Sequence, residues 1–434
     1  MTASTPAYWR KKAQHLYPPD FLKLFPDSFV LPQYDGYSLA NLPATLGKLL
    51  DAPEGWAQPA LDASLLKALP AKSKRVMLMV LDGVAWSRLQ AQLETNDAGF
   101  AELFSRYGLD AQPITSVAPS TTCVATTVLT GNGAMAAETG MMGYQYLLAE
   151  LGLVANMLFW FPAGQPKAAN GSLEAWGIKP EAFIPTPSAA QVLAGSSIPL
   201  RVIMPAQYSY SPLSRMQMRG SEIDGYHNAT DMFQKMQGWL DDTVNQKASS
   251  YVYYADFDTL SHRDGSDAAI WSALWEEFVF QFARFLRHVQ HADDTLLVIT
   301  ADHGHLPCTL RHRFHLEDYP DLGKMLNLLP AGEARHLYLY ARQGAKDELL
   351  AYSKQVFAEQ FVVLDAQEAL SQGLYGPAQK LHPEASRRLG DVILLSRGKN
   401  YFWEKDSKRE LKGKHGGLEP DEMLVPLISF QLDR

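Results

Sequence analysis

The sequence predicts an α/β fold whose central sheet is doubly wound and mostly parallel, with helices on both of its faces. Two apolar runs, RVMLMVL (75–81) and TLLVIT (295–300), lack the alternation of a half-exposed strand, which indicates strands buried on both faces. Between YVYYA (251–255) and the second run lies a segment (268–290) whose apolar residues recur every three or four positions, as in an amphipathic helix. A strand, a helix and a strand at this spacing predict a βαβ unit, and therefore a parallel sheet.

The composition changes along the chain indicate three parts. Residues 1–70 are rich in proline and leucine, and we expect them to wrap over the core. Residues 71–330 and 411–434 are expected to form the core, and residues 331–410, with short separated strand patterns around one helix, a small inserted α+β unit. Three more apolar runs predict strands, the last of them returning to the main sheet: LVANMLFW (153–160), PLRVIM (199–204) and EMLVPLISFQL (422–432).

Charge and cysteine content exclude several classes of protein. The 434 residues include 39 Lys and Arg against 47 Asp and Glu, and a formal charge of -8 argues against a nucleic-acid or anionic-membrane surface. Only Cys123 and Cys308 are present, too few for a disulfide framework, although one bridge remains possible. No run approaches the ~18 to 20 apolar residues of a membrane span, and the N-terminus lacks an apolar signal segment. We therefore expect a cytoplasmic protein.

Carboxylates and imidazoles follow three of the predicted strands. In a parallel sheet the carboxyl ends of the strands border one crevice, so these side chains should converge there. One such residue alone is more often a helix cap or a surface residue, but a buried group of them needs cations for neutralisation. A mixed set of oxygen and nitrogen ligands suits zinc better than magnesium or calcium. The residues are Asp82, Asp256, Asp258, His262, Asp302, His303, His305 and, between glycines near the C-terminus, His415.

A hydroxyl-rich stretch, APSTTCVATTVLTG (118–131), adds a candidate nucleophile. A turn at Pro119 precedes a small-residue helix that a glycine ends, and free backbone N–H groups at a helix start favour an anion such as phosphate. Taken alone, Ser120, Thr121 or Thr122 is better explained as the helix cap, and a nucleophile can occupy the same position.

These segments together resemble the alkaline phosphatase superfamily, and within it the type I phosphodiesterase/nucleotide pyrophosphatase family. The resemblance is carried by LDG, PSTT…TG, DTLSH, ADHGH and KHGG, over residues 75–143, 251–305 and 415 to the end. It implies an alkaline phosphatase-like core with two zinc ions, although other divalent metals are possible. The first zinc would be held by Asp258, His262 and His415. The second would be held by Asp82, Asp302, His303 and the nucleophilic threonine.

The resemblance leaves two threonines open as nucleophile. Counting back ten residues from Gly131 gives Thr121, whereas counting forward three from Pro119 gives Thr122. We favour Thr121, because a residue lost within the helix would rotate the hydroxyl by about 100°, while a loop absorbs a deletion.

The implied reaction is hydrolysis of a small-molecule phosphodiester or nucleotide through a phospho-threonine intermediate. Asp256 and His305 would orient the metal ligands. The segment after the helix (130–148) lacks the family's His-Gly pair and its phosphoryl-binding Asn, and Tyr144 and Gln145 are candidates to replace that Asn. The absence of a third, magnesium-binding motif favours diesters. The alternatives are a phosphomonoesterase or phosphonate hydrolase of the same superfamily or, less favoured, a non-catalytic metal-binding module.

Aromatic residues between positions 160 and 230 are candidates for a leaving-group pocket, with core packing an equal explanation. They are Trp160, Phe161, Trp176, Tyr208, Tyr210 and Tyr226.

Overall fold

The structure is a computed structural model that describes residues 3, 5–66, 70–96, 98–165, 168–402 and 411–432. In chain order its strands are β1 (Arg75–Leu81), β2 (Asp110–Thr115), β3 (Gln145–Leu148), β4 (Leu153–Asn156), β5 (Phe161–Pro162), β6 (Leu200–Pro205), β7 (Glu222–Tyr226), β8 (Ala248–Tyr254), β9 (Thr295–Thr300), β10 (Leu306–Pro307), β11 (Arg313–Phe314), β12 (Ala331–Glu333), β13 (His336–Leu339), β14 (Phe361–Asp365), β15 (Val392–Ser396), β16 (Tyr401–Phe402), β17 (Gly413–Lys414) and β18 (Leu424–Gln431).

The α-helices are α1 (Pro6–Ala13), α2 (Pro19–Leu22), α3 (Leu42–Leu49), α4 (Trp86–Thr95), α5 (Phe100–Tyr107), α6 (Thr122–Thr130), α7 (Ala136–Thr139), α8 (Ala189–Ala194), α9 (Pro212–Gln217), α10 (Ala229–Asp242), α11 (Asp256–Asp264), α12 (Ala269–His288), α13 (Pro320–Met325), α14 (Lys346–Phe357), α15 (Ala366–Ser371), α16 (Ala385–Leu389) and α17 (Pro420–Met423). None of these helices is both long enough and apolar enough to cross a bilayer.

The central sheet has seven strands in the order β2-β18-β9-β1-β8-β6-β7. Its pairs are parallel except at β18, which runs antiparallel to both of its neighbours. Every residue of β1, β8 and β9 is buried, as the apolar runs within these strands predict. The predicted α/β class, the mostly parallel sheet and the return of the C-terminal strand to it are confirmed.

One predicted strand takes a different place. The run at 153–160 forms β4 only as far as Asn156, and β4 belongs to a small three-stranded sheet with β3 and β5. Residues 157–160 form a turn instead, and Trp160 has a positive φ of 57°. The apolar run reports burial correctly, since Trp160 is fully buried, but burial alone does not distinguish a strand from a packed turn.

Helix α12 covers one face of the sheet. Its buried residues recur at three and four positions, so they form one apolar stripe. Burying each such large side chain contributes about 1.5–3 kcal/mol. The stripe consists of Trp271, Leu274, Trp275, Phe278, Val279, Phe282, Phe285 and Leu286.

A second, antiparallel sheet lies in the segment that follows residue 330. Its order is β12-β13-β15-β14, and it shares a separate apolar cluster with α14. Residues 403–410, which the sequence assigns to the end of the inserted unit, lie outside the described residues, as do 1, 2, 4 and 67–69 of the N-terminal segment and the last two of the core. Within that N-terminal segment Phe21, Phe25 and Phe29 are buried, and Val30 donates a backbone hydrogen bond of 2.9 Å to the carbonyl of Leu418.

Candidate active site

The carboxyl ends of β1, β8 and β9 lie side by side because these three strands are neighbours in the sheet. Asp82 follows β1, and Asp302 and His303 follow β9. After β8 the chain enters α11, on which Asp258 and His262 are one turn apart and face the same side. The structure brings the six predicted ligand side chains together with His305 in two clusters: Asp82, Asp302 and His303, and Asp258, His262, His305 and His415.

The cluster of Asp82, Asp302 and His303 is fully enclosed. His303 Nε2 lies 3.4 Å from Asp302 Oδ2 and 3.6 Å from Asp82 Oδ1. Burial, together with the neighbouring charge of Asp302, raises the pKa of Asp82 well above its usual value. Two buried carboxylates that repel each other are the environment that a cation relieves.

One oxygen of each of these carboxylates is anchored and the other is left without a partner. Asp302 Oδ1 accepts the backbone N–H groups of Gly83 and His303 at 3.2 and 2.9 Å, and the Tyr253 hydroxyl donates a short hydrogen bond to Asp82 Oδ2. Asp82 Oδ1 and Asp302 Oδ2 have no hydrogen-bond partner among the described residues. Buried oxygens left open beside an imidazole fit coordination to a metal ion.

In the other cluster two imidazoles face each other across Asp258. The Nε2 atoms of His262 and His415 are 3.2 Å apart, and they lie 3.4 and 4.0 Å from Asp258 Oδ1. The ring of His415 also stacks on that of His303, with centroids 3.8 Å apart. The two clusters are therefore next to each other, and the stacked rings of His303 and His415 lie between them.

Backbone carbonyls orient three of the imidazoles in the same way. His262 Nδ1 lies 2.9 Å from the Gly413 oxygen, His303 Nδ1 3.1 Å from that of Gly304, and His415 Nδ1 3.0 Å from that of Ser120. Because a carbonyl only accepts, each Nδ1 must carry the proton, which leaves each Nε2 with a lone pair directed at its cluster. This is the tautomer that a metal-ligating histidine needs.

His305 is oriented differently. Its Nε2 lies 2.7 Å from Asp258 Oδ1, and burial lowers its pKa to about 3, so the neutral ring donates Nε2–H to that carboxylate. The His305 ring fits at this position because residue 83 is a glycine: a Cβ there would lie 2.8 Å from the ring. Asp256, in contrast, is exposed and belongs to neither cluster. Of the two residues expected to orient ligands, only His305 contacts one.

The two candidate nucleophiles point in different directions. Thr121 is the N-cap residue of α6, with an extended backbone, and its hydroxyl faces the Glu333 carboxylate. Thr122 is the first residue of α6, and its Oγ1 lies 3.0 Å from His303 Nε2. The backbone changes from extended at Thr121 to helical at Thr122, so these two neighbouring side chains point to different sides. Counting residues along the helix therefore did not determine which hydroxyl faces the site. Of the two hydroxyls, that of Thr122 is the one within hydrogen-bond distance of a clustered side chain.

The other predicted contributors occupy the rim or the core. Tyr144 contacts Glu333 through its backbone N–H, and Gln145 lies in β3. Tyr208 is half-buried, with a pKa raised first by burial and then by the charges of Asp82 and Asp258. The remaining aromatic residues divide between core (Trp160, Tyr226), half-buried (Phe161) and exposed (Trp176, Tyr210) positions.

Two residues at the site were not identified from the sequence. Tyr253 reads as one more apolar position of β8, and nothing in its surroundings in the sequence marks the hydroxyl that reaches Asp82. Glu333 lies on β12, 189 residues from its partner Tyr144. A single sequence carries no signal for a contact over that separation.

The mostly parallel sheet, with two Asp and His clusters beside its strand ends that could each hold a metal ion, is the arrangement of the alkaline phosphatase-like α/β fold. The chain belongs to the type I phosphodiesterase/nucleotide pyrophosphatase family, whose sequence model matches residues 76–418. A comparison with curated protein sequences gives no significant match.

Solved structures with the same fold come from distant proteins. Mouse ectonucleotide pyrophosphatase/phosphodiesterase 5 superposes with a TM-score of 0.60 at 15% identity, covering 81% of this chain and 87% of the mouse chain. Its inactive Thr-to-Ala form in complex with AMP gives 0.59 at 15% identity, with the same coverage. Phosphonoacetate hydrolase from Sinorhizobium meliloti 1021, in complex with phosphonoformate, gives 0.59 at 16% identity, covering 81% and 89%.

Proposed function

We propose that the chain is a phosphodiesterase/nucleotide pyrophosphatase-type hydrolase that acts on small-molecule phosphodiesters or nucleotides, with Thr122 as nucleophile at a two-zinc site. One observation carries this proposal. The Thr122 hydroxyl lies next to His303, at the place where two clusters of potential metal ligands meet.

The residues present fit two zinc ions, and other divalent metals fit the same sets. Asp258, His262 and His415 would hold one ion. Asp82, Asp302, His303 and the Thr122 hydroxyl would hold the other, through the open oxygens and lone pairs described above. When bound, such ions supply charge stabilisation at phosphorus and lower the pKa of a coordinated hydroxyl or water.

The chain itself positions the nucleophile and binds the phosphoryl group. Thr122 stands in the first turn of α6, where unpaired backbone N–H groups favour an anion. Its oxygen forms a bond to phosphorus while the bond to the leaving oxygen breaks, and the threonine proton ends on the departing alcohol. Water then attacks the phospho-threonine. One water proton restores the Thr122 hydroxyl, the other is released, and a phosphate monoester leaves.

The similar structures support this reading and favour one alternative. The mouse protein is inactive with a threonine replaced by alanine, and that form binds AMP. A phosphonate hydrolase of the same superfamily is the second candidate, since phosphonoacetate hydrolase superposes almost as well as the mouse protein.

A substrate comparison tests the proposal. The purified chain, loaded with zinc, is given bis-p-nitrophenyl phosphate, p-nitrophenyl phosphate and phosphonoacetate in parallel. We expect the diester to have the highest kcat/KM, activity to disappear with a chelator, and zinc to restore it. Faster turnover of phosphonoacetate would establish the second candidate, and no turnover of any of the three would contradict both.

We also propose a reducing compartment, the cytoplasm, because Cys123 and Cys308 are both buried as free thiols. Cell fractionation tests this, and recovery outside the cytoplasm would contradict it.

A further inference from the structure

Helix α6 carries a threonine at every fourth position. Thr122, Thr126 and Thr130 therefore lie on one face of the helix, and Thr122 stands at the end beside the ligand clusters. The Thr126 hydroxyl donates a short hydrogen bond to the Thr122 carbonyl, and the Thr130 hydroxyl donates to the Thr126 carbonyl at 2.7 Å. A hydroxyl one turn further along the helix thus contacts the backbone of the proposed nucleophile itself.

A buried glutamine holds that hydroxyl from outside the helix. Gln217 is the last residue of α9, and its Nε2 donates to Thr126 Oγ1 at 2.8 Å and to Thr127 Oγ1 at 2.9 Å. All three side chains are buried, and Gln217 is only 5% exposed. Because Nε2 carries two hydrogens, one can be directed at each hydroxyl. Each hydroxyl accepts from Gln217 and keeps its own hydrogen to donate onward.

The two hydroxyls donate to different carbonyls. Thr126 donates to Thr122, whereas Thr127 donates to Cys123 at 2.6 Å. Successive hydrogen bonds of this kind polarise and strengthen one another in a buried environment. The chain from Gln217 through Thr126 therefore ends on the residue proposed to attack phosphorus, and the chain through Thr127 ends on the next residue.

We propose that Gln217 is a positioning residue that sets the orientation of Thr122 through the Thr126 hydroxyl. This inference rests on the proposed function. Thr122 is the first residue of α6, so a small rotation of that turn would move its Oγ1 away from His303. A misplacement of about 1 Å between reacting atoms can cost up to about 100-fold in rate. Among the described residues the Gln217 side chain donates only to α6, so metal binding should not depend on it.

Two single variants and their combination test the inference, with bis-p-nitrophenyl phosphate as substrate. Gln217→Met removes the amide and keeps the length of the side chain, and Thr126→Val removes the hydroxyl and keeps its shape. We expect each to lower kcat by about tenfold, with KM within about twofold of the parent and zinc content unchanged. The double variant should lose no more than either single variant, because both changes break the same chain.

Thr127→Val is the matched control. Thr127 is buried like Thr126 and accepts from the same nitrogen, but its hydroxyl donates to Cys123. Its kcat should stay within about twofold of the parent. An equal fall of kcat in Thr126→Val and Thr127→Val would mean that the packing of α6 against α9 is responsible, and the inference would be wrong.

The outcomes separate this inference from the proposed function. An unchanged kcat in Gln217→Met, or additive losses in the double variant, would overturn the inference alone, because diester turnover by the parent would still support the proposed function. A parent chain without diester turnover would overturn both. If Gln217→Met does not fold by thermal melting, the comparison of Thr126→Val with Thr127→Val decides. If Thr126→Val does not fold either, Gln217 is a structural residue and the inference fails.

Discussion

The ligand clusters and the nucleophile turn (residues 118–122) are supported from opposite sides of the site. The clusters lie at the ends of strands whose every residue is buried, and nearby backbone groups fix the orientation of the ligands. The nucleophile turn contacts the His415 loop (413–417), through the Ser120 hydroxyl on the Gly417 carbonyl at 2.7 Å. Both of these segments are in turn contacted by the second sheet.

The contacts from the second sheet are made by side chains on β12, β13 and the turn between them. Glu333 contacts the nucleophile turn, and His336 Nδ1 lies 3.0 Å from the Gly416 carbonyl. Arg335 forms a buried, two-bond ion pair with Glu422, whose Oε1 also accepts the Gly417 N–H at 2.8 Å. The two regions therefore differ in their role: the central sheet carries most of the clustered Asp and His side chains, and the second sheet contacts the turn and the loop beside them.

The largest effect is expected at the nucleophile. Thr122→Ala should lower kcat for the diester by at least about 10³-fold, because the covalent step is lost while the ligand clusters remain. Thr121→Ala is the matched control, and we expect it to keep activity within about tenfold, since its hydroxyl faces Glu333. Zinc content should be measured in both variants. The assignment would be wrong if Thr121→Ala lost activity and Thr122→Ala kept it.

The next effect concerns the support from the second sheet. Arg335→Met leaves the Glu422 carboxylate buried without its cation, which typically costs about 3–5 kcal/mol of unfolding free energy. The double variant Arg335→Met with Glu422→Gln should recover part of this loss, because the unpaired charge is then gone. Chemical denaturation measures both.

An exposed ion pair provides the comparison for that measurement. Lys324 and Asp321 are 2.7 Å apart with side chains 74% and 64% exposed, so Lys324→Met should cost less than about 1 kcal/mol. Equal losses in Arg335→Met and Lys324→Met would show that the buried pair does not support the His415 loop.

The contrast between the two regions also explains what the sequence predicts. The central strands are unbroken apolar runs, and the residues after them share an edge for topological reasons, so their convergence was predictable from local patterns. Strands β2 and β7 carry no such run, because both are edge strands with exposed or half-exposed residues. The choice between Thr121 and Thr122 depended on where α6 begins. A shift of that start by one residue changes the direction in which each hydroxyl points. The position of Glu333 near the nucleophile turn results from tertiary packing alone, so no local pattern predicted it.

The smallest expected effect concerns the pKa of Asp82. It tests whether the central sheet changes the pKa of a proposed ligand as well as positioning it. The Tyr253 hydroxyl donates to Asp82 and lowers the pKa of that carboxyl, against the larger effect of burial. Metal binding needs ionised Asp82, so Tyr253→Phe should raise this pKa further and move zinc release to higher pH. We expect zinc affinity to fall by about tenfold at neutral pH, the usual scale for losing a group that orients a ligand.

Tyr251→Phe is a close control for that measurement, because Tyr251 is buried on the same strand and its hydroxyl has no hydrogen-bond partner among the described residues. Competition with a chromophoric chelator across the pH range should show a shift for Tyr253→Phe and none for Tyr251→Phe. The same shift in both variants would mean that loss of a buried hydroxyl, and not of the bond to Asp82, is responsible. In that case the central sheet would position Asp82 through its backbone alone, and the two regions would differ less than their contacts indicate.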